Sequence, residues 1–133
     1  MSAALIEFVF RDGVPANRDE AAIRMGASPV FVGSGRTRDG RNKGTVRMRK
    51  SAPSRARCAC YLIGRLAMQR LDWAKAMYKD ARRRKQSAAT AFRRIARCVL
   101  RIQTSMARTG TLYDNDRYVA SLKAHGVPWA AAL

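Results

Sequence analysis

One stretch of this chain combines residue types that could act on a phosphodiester: Val32-Gly33-Ser34-Gly35-Arg36-Thr37-Arg38. Glycines on both sides of Ser34 would let a phosphate come close to the backbone. Arg36 and Arg38, followed by Arg41 and Lys43, could neutralise charge developing on it. A serine hydroxyl is a poor nucleophile at neutral pH and needs a base, a metal or a positioned substrate. The nearest acid, Asp39, lies in the same glycine-rich loop. A serine between glycines is by itself usually a plain turn residue, so this motif alone decides nothing.

A second constellation is a stripe of arginines. At about 100° per residue, Ala91, Ile95, Cys98, Val99, Ile102 and Met106 fall on one arc of a helix, roughly 120° wide. Arg93, Arg94, Arg97, Arg101 and Arg108 fall on the opposite arc. Residues 81–113 contain no acid, so the stripe repels itself unless an anion lies along it. Arginine rather than lysine suits bidentate phosphate contacts. Nucleic acid is therefore the expected partner of this face, with Arg41, Lys43 and Arg47 of the basic loop and returning strand as further contacts. A solvated surface and an anionic membrane surface are the weaker alternatives.

Other chemistries are poorly supplied. Asp114 and Asp116 flank Asn115 as turn and cap residues do, and Asp19 and Glu20 read as first-turn helix residues. His125 stands alone beside Gly126 and reads as a helix-end residue. Cys58, Cys60 and Cys98 lack metal-ligand spacing and read as reduced, small core side chains. Trp73 and Tyr78 are expected in the core. No metal or other cofactor is expected in this chain.

Positioning these groups requires a scaffold, and 133 residues with 47% hydrophobic composition suit one modest core. The net charge is +18, with 27 bases against 9 acids. Residues 1–35 carry 3 bases and 4 acids, residues 36–108 carry 22 and 3, and residues 109–133 carry 2 of each. Such a balance favours a polyanionic partner. No apolar run reaches the roughly 20 residues of a membrane span, and the N-terminus lacks the basic start of a secretory signal. A cytoplasmic, nucleoid-associated protein without a membrane partner is expected.

The patterning predicts a mainly α fold with a small Gly-rich β-hairpin near residues 29–48. Asn17 with Glu20 three residues on marks one helix start, and Gly26 its end. Pro53 opens a helix with Cys58, Tyr61, Leu62 and Leu66 as its apolar face. Asp72 starts another, carrying Trp73, Met77 and Tyr78 inward. Ser87 and Gly110 bound the longest helix, and a last one runs from Asp116 to Ala124. The chain divides into residues 1–114, with a basic core at 36–108, and a short helical tail at 115–133.

One ordered set of residues resembles a known family. Asp19-Glu20-Ala21-Ala22, Met25-Gly26-Ala27-Ser28-Pro29-Val30, Gly33-Ser34-Gly35, Met48-Arg49, Trp73, Met77-Tyr78 and Arg108-Thr109-Gly110-Thr111-Leu112-Tyr113-Asp114 together resemble the C-terminal transposase domain of the IS-one-ten (one-sixteen, nine-o-two) insertion-sequence transposases. The resemblance covers about residues 3–114. It implies a serine-nucleophile recombinase, guided by a structured RNA, that cuts and rejoins DNA through a phosphoserine link. Ser34 matches the family serine, and Arg36 and Arg38 would be its electrostatic stabilisers. Magnesium is expected for a RuvC-like carboxylate domain, for which 133 residues leave no room, and the Pro-Gly-Ile-Gly-type helix-hairpin-helix is missing. The expectation is a truncated transposase that binds DNA, with a guide RNA, a RuvC-like domain or a second copy as further partners, and that is inactive alone. The rival expectation is a non-catalytic basic module that binds DNA or RNA.

Overall fold

The computed structural model describes residues 7–17, 19–33, 35, 39 and 44–133. Within them the chain is mainly helical with one two-stranded antiparallel hairpin. In order come α1 (Glu20–Arg24), β1 (Pro29–Val32), β2 (Thr45–Met48), α2 (Ser54–Arg70), α3 (Asp72–Arg83), α4 (Ala88–Thr109), α5 (Asn115–Ala124) and a 3₁₀ turn (Pro128–Ala130). The hairpin pairs Pro29 with Met48, Val30 with Arg47, Phe31 with Val46 and Val32 with Thr45.

Local chemistry sets the helix ends. The Asn17 side-chain oxygen accepts from the Glu20 N–H at 2.9 Å, and Ser87 Oγ accepts from the Thr90 N–H at 3.2 Å. The Asp114 carboxylate accepts from the N–H groups of both Asp116 and Arg117, which starts α5 at Asn115, one residue earlier than the pattern predicts. Gly110 closes α4 in the left-handed conformation, φ 67°, which a side chain would strain.

α4 is the central helix. It packs against α2, α3 and α1, and two apolar clusters share it. One gathers Val9, Ala21, Ala22, Met25, Ala56 and Cys60 with Ala96 and Leu100; the other gathers Trp73, Ala74 and Met77 with Phe92 and Ile95. The tail joins the second cluster through Tyr118, Val119, Leu122 and Trp129. Trp73 meets Tyr118 edge to face at 5.1 Å and donates its indole N–H to Tyr113 Oη at 3.0 Å. Trp73 is fully buried and Tyr78 stacks on Phe92 at 5.2 Å, both as expected of core residues.

α2 reverses the expected face. Its buried residues are Ala56, Cys60 and Gly64, whereas Cys58, Leu62 and Leu66 are exposed; Tyr61, 37% exposed, still sets its ring edge to face on Phe92 at 5.1 Å. The cause is close approach: a Cβ on Gly64 would lie 1.9 Å from the Phe92 carbonyl oxygen. Helices that near each other accept only small side chains between them, so the leucines point away. Cys58 is accordingly a surface thiol, not a core residue.

Candidate nucleic-acid interface

The long helix carries its arginines on the sector its neighbours leave open. Besides the expected arc, Phe92, Ala96, Leu100 and Thr104 are buried, because α1 and α2 cover that side as well. Burial on α4 therefore spans far more than the roughly 120° arc expected for one apolar stripe. Arg93, Arg94, Arg97 and Arg101 are half-buried rather than projecting from a solvated face, while Arg108 is exposed.

Three of these arginines meet the hairpin. Arg93, Arg94 and Arg97 of α4 and Arg47 of β2 line one cleft of about 330 Å³, with Pro29 and Val46 on the hairpin side. Arg47 pairs with Val30 in the register, and Val46 and Arg47 both border the cleft. Neutral acceptors meet three of the guanidinium groups. Arg94 donates to Gln86 Oε1 at 2.8 Å, Arg47 to Thr45 Oγ1 at 3.0 Å and Arg93 to Thr90 Oγ1 at 3.3 Å. For Arg94 and Arg47 such partners fix direction without cancelling charge. Burial lowers the Arg93 pKa from its ordinary value, and at neutral pH the guanidinium stays charged.

The next turn of α4 has an acid beside it. Asp19, just before α1, accepts a hydrogen bond from Arg101 Nη2 at 2.7 Å and lies 3.6 Å from Arg97 Nη2. The Arg101 hydrogen bond, seconded by Arg97, holds the Asp19 carboxyl below the usual carboxylate range, and the same bond raises Arg101. The stripe, which has no acid within residues 81–113, thus receives one counter-charge from 82 residues away in sequence.

The expected site residues divide accordingly. Arg47, Arg93, Arg94 and Arg97 come together, and Arg101 continues the row one turn further on. Ser34, Arg36, Arg38, Arg41 and Lys43 lie outside the described residues. Asp114 acts as a cap, and His125 Nδ1 lies 2.7 Å from the Ser121 carbonyl oxygen at the end of α5. Among the described residues no group of three or more His, Cys, Asp or Glu could hold a metal ion, and no helix is long and apolar enough to cross a membrane. Sequence reasoning missed Gln86 and Asp19. Gln86, one residue before the Ser87 cap, carries no pattern that marks it as an arginine's partner.

No family model, curated protein or solved structure matches this chain.

Proposed function

We propose that this chain binds nucleic acid through the phosphate backbone, with DNA as its target, at the cleft between the hairpin and α4. The observation that carries the reading is the convergence of Arg47 with Arg93, Arg94 and Arg97 on one concave surface, in a chain of net charge +18. The guanidinium groups of Arg47 and Arg94, held by the neutral Thr45 and Gln86 side chains, keep both charge and spare donors for phosphate oxygens. Contacts of this kind position a duplex and carry little sequence information, so binding is tolerant of sequence.

The finer reading is the DNA-binding part of an insertion-sequence transposase. It rests on the resemblance to the IS-one-ten family, with Ser34 as the nucleophile and Arg36 and Arg38 as its electrostatic partners. In that reading Ser34 Oγ attacks a backbone phosphorus, the departing strand's oxygen takes a proton, and a phosphoserine link conserves the phosphodiester for rejoining. In that reading any magnesium would be held by the RuvC-like partner domain.

Two measurements test the proposal. Binding of a labelled duplex should fall with salt, with a log–log slope of about −4 for four phosphate contacts and roughly a hundredfold loss between 50 and 200 mM. Arg47→Gln and Arg94→Gln should each reduce the slope by about 1. A slope near zero would refute the phosphate reading. For the finer reading, a RuvC-like partner, a guide RNA and a nicked substrate are supplied, and covalent DNA adducts are resolved by denaturing electrophoresis. An adduct lost in Ser34→Ala supports the transposase; unchanged binding with no adduct in either protein would leave a binding module.

A further inference from the structure

The phosphate-binding row extends beyond the cleft, and its next position is already filled by a carboxylate. Arg97 lines the cleft and also faces Asp19, so one side chain links the two. Arg101 lies four residues on, about 6 Å along the helix axis. Asp19 sits between the pair, hydrogen-bonded to Arg101 at 2.7 Å and 3.6 Å from Arg97.

We propose that Arg97 and Arg101 form a phosphate subsite that Asp19 occupies in the free protein and gives up when nucleic acid binds. The inference rests on the phosphate-binding reading above and adds how that surface is regulated. Three features of the pair support it. First, one carboxylate charge answers two guanidinium charges, which leaves the subsite cationic. Second, two guanidinium groups bring ten N–H donors, against about four acceptor positions on a carboxylate. The Nε atoms of both are buried without a partner among the described residues, so the donors left to outnumber the carboxylate are the eight N–H of the Nη groups. Third, the Asp19 side chain is 54% exposed and that of Arg101 42%. An exposed pair of this kind is held weakly and exchanges readily for a competing anion.

A purely structural clamp would be a different role for the same contacts. α1 is otherwise anchored by Ala21, Ala22 and Met25, all fully buried in the first apolar cluster. The Asp19 side chain does not cap its own helix; the Asn17 side chain does that. Removing the Asp19 charge should therefore leave α1 in place.

The test compares wild type, Asp19→Asn, the double variant Arg97→Gln/Arg101→Gln, and the triple variant, by fluorescence anisotropy with a labelled 20-base-pair duplex at fixed salt. Asp116→Asn, on α5, controls for the change in net charge. Asp19→Asn should tighten binding about two- to fivefold, the range that exposed ion pairs govern, with an unchanged thermal midpoint. Asp116→Asn should tighten it less. In the double-variant background, Asp19→Asn should tighten binding no more than Asp116→Asn does. Equal gains from Asp19→Asn and Asp116→Asn would overturn the proposal, as would weaker or unchanged binding in Asp19→Asn. A lower midpoint with weaker binding would make Asp19 a clamp. If Arg97→Gln/Arg101→Gln weakens binding in any of those cases, the phosphate-binding reading stands; if neither arginine change nor salt affects binding, that reading fails first.

Discussion

Replacing Gly64 by alanine pits two effects of opposite sign against each other. In a helix interior, alanine is favoured over glycine by about 1 kcal/mol, so propensity alone would raise stability. The packing says otherwise. The new Cβ would lie 1.9 Å from the Phe92 oxygen, 2.6 Å from its carbonyl carbon and 2.9 Å from its Cα. All three are backbone atoms of α4, which no rotamer change can remove. Restoring ordinary contact means parting α2 and α4 by about 1.5 Å, and dispersion along the interface weakens steeply over such a gap. Overpacking in cores costs about 1–3 kcal/mol, occasionally more, and a backbone clash shared along a whole interface belongs at the upper end. We expect a net loss of about 2 kcal/mol, which for a chain of this size lowers the thermal midpoint by roughly 8 °C. Phe92 immediately precedes Arg93 and Arg94, so duplex affinity should fall too. Differential scanning calorimetry alongside anisotropy checks both. An unchanged or higher midpoint would show that α2 and α4 do not pack at this distance, and the account of the α2 face would fall with it.

Ile95 is fully buried whereas Leu66 is 52% exposed, so Ile95→Ala should cost about 2–5 kcal/mol and Leu66→Ala under about 1 kcal/mol; urea titration ranks them, and the reverse order would contradict the observed faces. Burial pushes the Cys60 thiol up to about 12 from its usual 9.0, while Cys58 is exposed. Alkylation of the folded protein at pH 8 should mark Cys58 well before Cys60, read by fragment-ion mass spectrometry. Burial also raises Tyr118. Folding thus favours the protonated forms, so this contribution is complete below the unfolded thiol's pKa and fades as pH climbs from 9 toward about 12; a midpoint that rises across that interval would refute the assignment.

What the sequence makes legible here is what neighbouring residues decide among themselves. Asn17, Ser87, Gly110 and Asp114 act within three or four residues of where they stand, so their side chains and backbone conformations mark helix ends without knowledge of the fold. The hairpin is legible for the same reason, because alternation and a glycine-rich connection are local signals. The face of α2 is not. Hydrophobic periodicity weighs large apolar residues most, and it selects Leu62 and Leu66; the fold selects Gly64, because contact with the Phe92 backbone rewards the absence of a side chain. Periodicity and close packing therefore point to different sides of one helix, and the closer packing wins.

The arginine row shows how that choice reaches the candidate site. α4 lies against α2 at Gly64, against α3 through the Trp73 cluster and against α1 through Ala96 and Leu100. These contacts fix the rotation of α4 about its own axis and leave open a single strip, carrying Arg93, Arg94, Arg97 and Arg101. Periodicity finds that strip but not what borders it. Arg47 reaches it only because β2 returns beside β1, and Asp19 only because α1 packs on α4, 82 residues away in sequence. A charge count along the chain treats residues 81–113 as unopposed. In the folded chain the same arginines differ: Arg94 is steered by the neutral Gln86 side chain, whereas Arg101 carries a carboxylate that also reaches Arg97. On the proposed reading, that difference would make affinity depend on charge at one end of the row and on exchange at the other.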